Sequence, residues 1–425
     1  MASHATTSIS TSADVVIVGA GLAGLAAARH LHAAGVHAVI LESSDDIGGR
    51  VRTDNVDGFT IDRGFQVLAT AYPELRRVIA LDDLAPRAFT RGLGIFGAGR
   101  LHRLVDPRQR PEALPDLLTL PLGSIVDRLR AARYAAQLLT TDAKHLLDQP
   151  DMSILDAFTA SGLSQRTIDR VFRPFLSGIL LEDQLTTSRR FVDLALRTML
   201  RGDVVVPAAG MQALPRAIAS PLPLETVRTG VDVHQVNSGV VVHSAGTTTA
   251  RAIIVATDPI AAHTLVPSIV APSMHAVTTL YHCADHSPLD DALLIVDGEQ
   301  RLITNSIVLS NAAPEYAPAG RHLIATSVLG AGHDEKALDS RVRQRLSDLY
   351  QTSTTSWQLI ATRAIAGALP AMQAPHDFRA PAWAADGVYV AGDHRDSSSI
   401  QGALVSGRRA ATAVLNDLGL GSAPS

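Results

Sequence analysis

The sequence predicts an α/β fold, and three observations predict it. A β-branched run at 14–18 (DVVIV) leads through a glycine-rich turn into an Ala/Leu-rich stretch and then a second apolar run at 37–42 (HAVILE). Short strand-like runs recur between 225 and 256. Near the chain end another apolar run, 387–391 (GVYVA), precedes a helical stretch over 400–416. Unbroken apolar runs of this kind belong to parallel strands covered on both faces. At 425 residues the chain exceeds one ordinary domain, so two interleaved domains, or one large α/β body with an insertion, are expected.

Composition narrows the classes. Apolar residues make up 46 % and charged residues 18 %, enough for a core and too few charges for a disordered chain. The net charge of −4 argues against a general nucleic-acid binder. Lysine occurs only at 144 and 336, which leaves few candidates for a catalytic ammonium. Cys283 is the sole cysteine, so no intrachain disulfide or cysteine metal cluster can form. The histidines show no metal-binding spacing, and none is expected to hold a metal. The opening Ser/Thr-rich stretch lacks the basic and apolar parts of a secretory signal and reads as disordered. The apolar stretch Val15–Ala28 is shorter than the roughly 20 residues a membrane span needs. A cytoplasmic protein is expected.

In order, 14–18 is a strand, 22–34 a helix ended by Gly35, and 37–42 the next strand, a βαβ unit. Residues 57–67 (DGFTIDRGFQV) read as strand and turn. Helical spacing dominates from about 111 to 200, with Ile125, Leu129, Ala132, Ala136 and Leu139 as one apolar face. Three strands with turns at Asn237-Ser238-Gly239 and Ala245-Gly246 fill 225–256. Further strands lie within 275–330, a helix at 334–350, and the last strand and helix at 387–391 and 400–416.

The strongest chemical signal is Gly19-Ala20-Gly21-Leu22-Ala23-Gly24, between strand and helix. Gly19 permits the tight turn, Gly21 lets backbone approach a pyrophosphate, and Gly24 lets helix and strand pack closely. The helix start offers free N–H groups and the positive dipole end. Glu42 ends the second strand, where a carboxylate accepts ribose hydroxyls. This is a Rossmann-like dinucleotide site. Gly92-Leu93-Gly94-Ile95-Phe96-Gly97 repeats the glycine spacing, but an alternating segment follows it and no helix, so it reads as a hairpin. Gly48-Gly49-Arg50 offers a close loop and a guanidinium fork for phosphate. Gly392-Asp393 closes the last strand beside a helix start, where the Asp can bind a sugar-alcohol hydroxyl. The basic stretch Arg100, His102, Arg103, Arg108 and Arg110 reads as a solvated loop, with an anionic substrate or membrane headgroups as its other use.

Taken together, DVVIVGAGLAGLAAARHL, VILE, IGGR, DGFTIDRG, TGVDVHQV, ARAIIVATDP and GVYVAGDHRDSSSIQGALVSGRRAA resemble the superfamily of FAD-dependent amine oxidases, protoporphyrinogen oxidases and phytoene desaturases. The resemblance implies a Rossmann-like FAD-binding domain built from 13–68, 201–264 and 371–418, with an interleaved mixed α+β substrate domain from 69–200 and 265–370. It implies FAD as cofactor, with Gly19, Gly21, Leu22, Ala23 and Gly24 lining the pyrophosphate and Glu42 on the adenosine ribose. Gly49 and Arg50 would touch the pyrophosphate or flavin side, and the Val233 backbone the adenine. Gly392 and Asp393 would meet the pyrophosphate–ribityl region, and Ile400, Gly64, Phe65 and Gln66 the flavin ring. Ser44 and Asp46 stand where family members often carry basic residues. Cys283 lies away from these motifs, so a cysteinyl–flavin bond is not expected.

The resemblance implies an enzyme that removes a hydride from a hydrophobic or conjugated small molecule and passes electrons to oxygen or another acceptor. No catalytic acid or base stands out. Primary-amine oxidases of the superfamily add an aromatic residue just before the closing helix and a lysine near the flavin N5. This chain has Ser399 at the first position, with Trp357 or Tyr281 as other sources of an aromatic wall, and both lysines sit in polar helical contexts. Two alternatives remain open: a peripheral-membrane isoprenoid desaturase using an apolar surface on the 111–145 helices, and a non-enzymatic binder of the Rab dissociation inhibitor type. Nothing in the sequence sets the oligomeric state.

Overall fold

The computed structural model describes residues 9–105 and 123–421. Arg108, Arg110, the first part of the expected helical region and most of the Ser/Thr-rich start lie outside them. Two large sheets dominate. The first has eight strands. Ile9–Val18 lies at its centre, parallel to Ala38–Leu41 on one side and to Gly246–Val255 on the other. Gly246–Val255 pairs along its first residues with Val240–His243, antiparallel, and along its last with Val388–Val390, parallel. The chain thus enters this sheet in three separate passes. Val15–Val18, Ala38–Leu41, Ile253–Val255 and Val388–Val390 are buried throughout, which accounts for their unbroken apolar sequence.

The centre strand starts earlier than its apolar run. Residues 9–13 belong to the segment expected to be disordered, yet they continue the parallel ladder against 246–250. A neighbouring strand, not hydrophobicity, sets that end.

Two helices cover one face of this sheet. Leu22–Ala33 ends at Ala34, with Gly35 in the left-handed region just beyond. Ile400–Asp417 crosses it at a contact between small residues. A Cβ on Gly407 would lie 2.1 Å from the Ala23 carbonyl oxygen and 3.1 Å from the Ala26 Cβ.

The second sheet has seven strands, in the order Gln358–Pro370, Met274–Ala284, His322–Leu329, Asn305–Val308, Ile295–Asp297, Gly92–Gly97 and Arg100–Val105. Gly92–Gly97 and Arg100–Val105 form an antiparallel hairpin, so the second glycine pattern is a strand pair. The described part of the basic stretch, Arg100, His102 and Arg103, is correspondingly in a strand and not a solvated loop: His102 is buried on the Gly97 carbonyl and Arg103 pairs with Asp291. Gln358–Pro370 escapes sequence reading because its Ala/Gly-rich segment (ATRAIAGAL) shows no apolar alternation. The hairpin of Thr53–Val56 and Phe59–Asp62 turns through Asp57 and Gly58, both at positive φ, the geometry that suits the strand twist.

The helix Ile125–Thr140 corrects another expectation. Its apolar stripe faces outward, with Ile125 74 % and Leu129 66 % exposed, while Tyr134 and Leu138 turn inward. The helix carries two apolar stripes, and period alone could not say which one the body covers. No described helix is long and apolar enough to cross a membrane.

The Gly407 contact is testable. Gly407→Val should overpack the helix crossing, costing roughly 3 kcal/mol, and lower the melting temperature by several degrees. An unchanged melting curve would mean that the helices do not meet there.

Candidate active site

A cavity of about 2410 Å³ opens where the two sheets meet. Its first wall is the turn after the centre strand. Gly19 has φ 101°, and a Cβ there would strike the Ala256 carbonyl at 2.9 Å. Gly19, Gly21, Leu22 and Ala23 line the cavity. A Cβ on Gly21 would meet nothing within 4 Å, so this backbone is open to a ligand. Gly21 caps the helix with no side-chain hydrogen bond, which leaves the first-turn N–H groups to a ligand's oxygens. Gly24 differs from its expected place: it is not on the wall. A Cβ there would lie 2.0 Å from the Gly19 carbonyl oxygen, so Gly24 serves the packing of the turn on its own helix.

Glu42 is buried at the cavity edge. One carboxylate oxygen accepts from the Ala20 N–H at 2.6 Å, and the other accepts from the Ser44 N–H and hydroxyl at 2.8 and 2.6 Å. The glycine turn and Ser44 therefore fix the carboxylate. Asp46 does not reach the cavity; it accepts from Gln212 and pairs with Arg216 at 3.2 Å. The Gly48 N–H donates to the Ala20 carbonyl at 2.9 Å, and a Cβ on Gly49 would lie 3.4 Å from the Gly21 Cα. The loop is thus seated against the glycine turn.

Arg50 departs from the expected free phosphate fork. One of its nitrogens pairs with Asp393 at 2.7 Å and another donates to the Ala368 carbonyl at 3.0 Å. Burial pulls the guanidinium down, the adjacent Asp393 carboxylate more than offsets this, and its pKa stands above the ordinary value. Arg50, Gly392 and Asp393 all line the cavity, so residues far apart in sequence form one charged bridge on its wall. The closing helix begins beside them. Ser399 caps it, accepting from the Gly402 N–H at 3.0 Å, and Ile400 lines the cavity at its first turn.

Gly64, Phe65 and Gln66 also line the cavity, as does Val233. The Gln66 amide donates to the Arg50 carbonyl at 2.9 Å, and its carbonyl oxygen is buried without a partner. Sequence reading missed what anchors this segment. Asp62 is buried and accepts from Thr53 (2.5 Å), the Met211 N–H (2.9 Å) and the Tyr316 hydroxyl (2.9 Å), while Tyr281 donates to its backbone carbonyl. Burial raises the Asp62 carboxyl to about 6. The Asp within DGFTIDRG was the available signal. Thr53 is its neighbour in the hairpin, and the other three partners come from distant segments.

Away from the glycine turn the cavity is apolar and aromatic, with Phe89, Tyr134, Phe172, Phe175, Phe191 and Phe378 on its wall. No motif marks these residues. Tyr281 and Trp357 are not among them: Tyr281 backs Asp62, and Trp357 packs in the core beneath the helix Glu335–Leu349. Lys144 and Lys336 are exposed, and Cys283 is a buried free thiol whose sulfur accepts from the Arg321 Nε at 3.0 Å.

A parallel sheet with a glycine turn, a strand-end carboxylate and a returning Gly-Asp segment defines a dinucleotide-binding oxidoreductase architecture. Residues 22–415 match the family described as flavin containing amine oxidoreductase, and the chain belongs to it. The family binds FAD. Among curated relatives, human lysine-specific histone demethylase 2 is 53 % identical over 56 residues, 13 % of this chain and 7 % of that protein. Protoporphyrinogen oxidase 2 of Arabidopsis thaliana is 26 % identical over 204 residues, 46 % of this chain and 38 % of that protein. The alignments thus span less than half of these relatives. An oxidoreductase from Methanosarcina mazei superimposes with TM-score 0.73 at 18 % identity, over 97 % of this chain and all of that one, a likeness in fold.

His394 supplies a test. Both its ring nitrogens are buried without partners beside the Arg50–Asp393 bridge, and burial brings its pKa down to about 4. The unfolded chain takes up that proton near the ordinary value of about 6.5. Stability from neutral His394 is therefore fully present above that value and is lost as pH falls through 4. Acidification from pH 7 to 5 should cost about 2 kcal/mol through this group. Urea titrations should find that portion in the wild type and not in His394→Gln; equal losses would remove His394 from the account.

Proposed function

We propose that this protein is an FAD-dependent oxidoreductase that removes a hydride from a bulky apolar or conjugated small molecule. One observation carries the reading: a single cavity joins the glycine-turn wall to an aromatic chamber. Its size exceeds the roughly 300–1,000 Å³ of an ordinary ligand pocket, in keeping with a dinucleotide and a second large molecule together. The open backbone at Gly21 and the unpartnered Gln66 carbonyl fit the cofactor.

In this reading Gly19, Gly21, Leu22 and Ala23 hold the pyrophosphate with backbone N–H groups, and Glu42 holds the adenosine ribose. The Val233 backbone meets adenine. Gly49 and the Arg50–Asp393 bridge set the middle of the cofactor, with Gly392. Gly64, Phe65, Gln66 and Ile400 border the ring. When bound, the flavin supplies the two-electron chemistry, taking a hydride from the substrate and passing electrons to oxygen or another acceptor. The aromatic chamber excludes water and orients the substrate. We also infer the domain division stated above, in which 13–68, 201–264 and 371–418 carry the cofactor, and a cytoplasmic setting, in keeping with the free buried thiol of Cys283.

The reading disfavours an ordinary primary-amine oxidase. Ser399 is engaged as a helix cap and offers no aromatic face, and neither lysine lines the cavity. One observation favours a second reading, the peripheral-membrane isoprenoid desaturase: the outward apolar residues Ile125, Val126 and Leu129. Flotation with liposomes tests it.

Pigment extracted from the purified protein should be FAD; FMN, or no flavin after reconstitution, would sink the assignment. Glu42→Ala should weaken FAD retention by roughly 1.5–3 kcal/mol, the usual size for a hydrogen bond to a charged group. Under anaerobic conditions an apolar or conjugated substrate should bleach the flavin, while NADPH, benzylamine and putrescine should not. Fast bleaching by NADPH or by either amine would overturn the substrate assignment.

A further inference from the structure

The chamber wall is apolar but not uncharged, and its charge has one sign. Between residues 69 and 204 the cavity is lined by Arg76, Arg91, Arg128, Arg197 and Arg201 and, among the described residues, by no Asp or Glu. Arg91 pairs with Asp203, a residue off the wall. Arg76, Arg197 and Arg201 make no ion pair. Arg197 and Arg201 stand one turn apart on the helix Arg189–Arg201. The Arg197 Nε donates to the Thr141 carbonyl at 2.9 Å, and an Arg201 terminal nitrogen donates to the Leu139 carbonyl at 2.7 Å. Both side chains are thereby held over the C-terminus of the helix Ile125–Thr140. Each uses one group of its fork there and keeps other N–H donors. The next residue, Gly202, is seated on Thr70 and Ala71, where a Cβ would find atoms at 2.8 Å. The Thr70 carbonyl in turn accepts from Arg76 at 3.0 Å. Three arginines outside any ion pair among the described residues therefore converge on one ledge of the chamber. Burial, and then the Arg201 charge, lower the pKa of Arg197, with Asp142 opposing them in part.

Arg76 and Arg201 are exposed and Arg197 is half-buried, so the ledge meets solvent as well as the cavity, and the N–H donors not used within the chain are open to an anion. Resting on the proposed function, we infer that the substrate is an amphiphile whose carboxylate or phosphate end is bound by Arg76, Arg197 and Arg201, with its apolar body directed into the chamber. All three arginines line the cavity, which favours a bound molecule over a lipid surface as the source of that anion.

The test uses the FAD-loaded full chain and cis-parinaric acid, a conjugated polyene acid that fluoresces in apolar sites, against its methyl ester. The acid should bind roughly tenfold or more tighter than the ester, as charge-assisted hydrogen bonds allow. Arg197→Gln with Arg201→Gln should abolish that preference while leaving ester binding unchanged, and Arg197→Lys with Arg201→Lys should restore part of it. Unaltered flavin content in the variants shows that the fold is kept. Equal binding of acid and ester by the wild type would overturn the anionic end alone. Binding of neither would overturn the apolar-substrate reading with it. If the Gln variant keeps the acid preference but loses sedimentation with phosphatidylglycerol vesicles, the arginines serve a membrane and the inference falls.

Discussion

Backbone meets backbone at the turn Gly19–Gly24 with no side chain between, and the rest of the site follows from that contact. Gly19 lies against the Ala256 carbonyl, Gly24 against Gly19, and Gly407 against Ala23. Three passes of the chain are brought within van der Waals distance of one loop. Any added methyl group would drive apart the centre strand, its helix or the closing helix. Protein interiors tolerate such insertions poorly because neighbouring atoms have nowhere to move. The same absence of side chains leaves Gly21 open to the cavity.

Charge then ties the segments that this packing gathers. Glu42 accepts from Ala20 and Ser44, Asp46 is matched by Arg216, and Arg50 is bridged to Asp393. The Asp46 carboxylate is thus matched from a distant helix. Behind the wall, Asp62 gathers hydroxyls from Thr53 and Tyr316 and the Met211 N–H. A buried carboxyl surrounded by donors fixes the backbone that carries Gly64, Phe65 and Gln66 into the cavity. Buried polar groups of this sort hold geometry because leaving any member unpaired is costly.

The chamber follows a different logic. Its walls are aromatic side chains from helices and loops between 134 and 191, with Phe89 before them and Phe378 from near the C-terminal end of the chain. The outward stripe of Ile125–Thr140 shows how little the helical period says about facing. Two apolar stripes on one helix are equivalent in sequence, and only the body that the helix packs against distinguishes them.

By itself the sequence determined the parallel sheet, the glycine turn, the carboxylate at Glu42 and the reading of Gly92–Gly97 as a hairpin. Each is local: a β-branched run, a glycine at a fixed offset or an alternation acts within a few residues, so its physics is written in adjacent letters. Tertiary structure alone decided that residues 9–13 extend the centre strand and that Arg50 spends its fork on Asp393. It also decided that three arginines outside any ion pair share one ledge. The partners in these outcomes lie dozens to hundreds of residues away, and a burial or an ion pair exists only once the chain has brought both sides together.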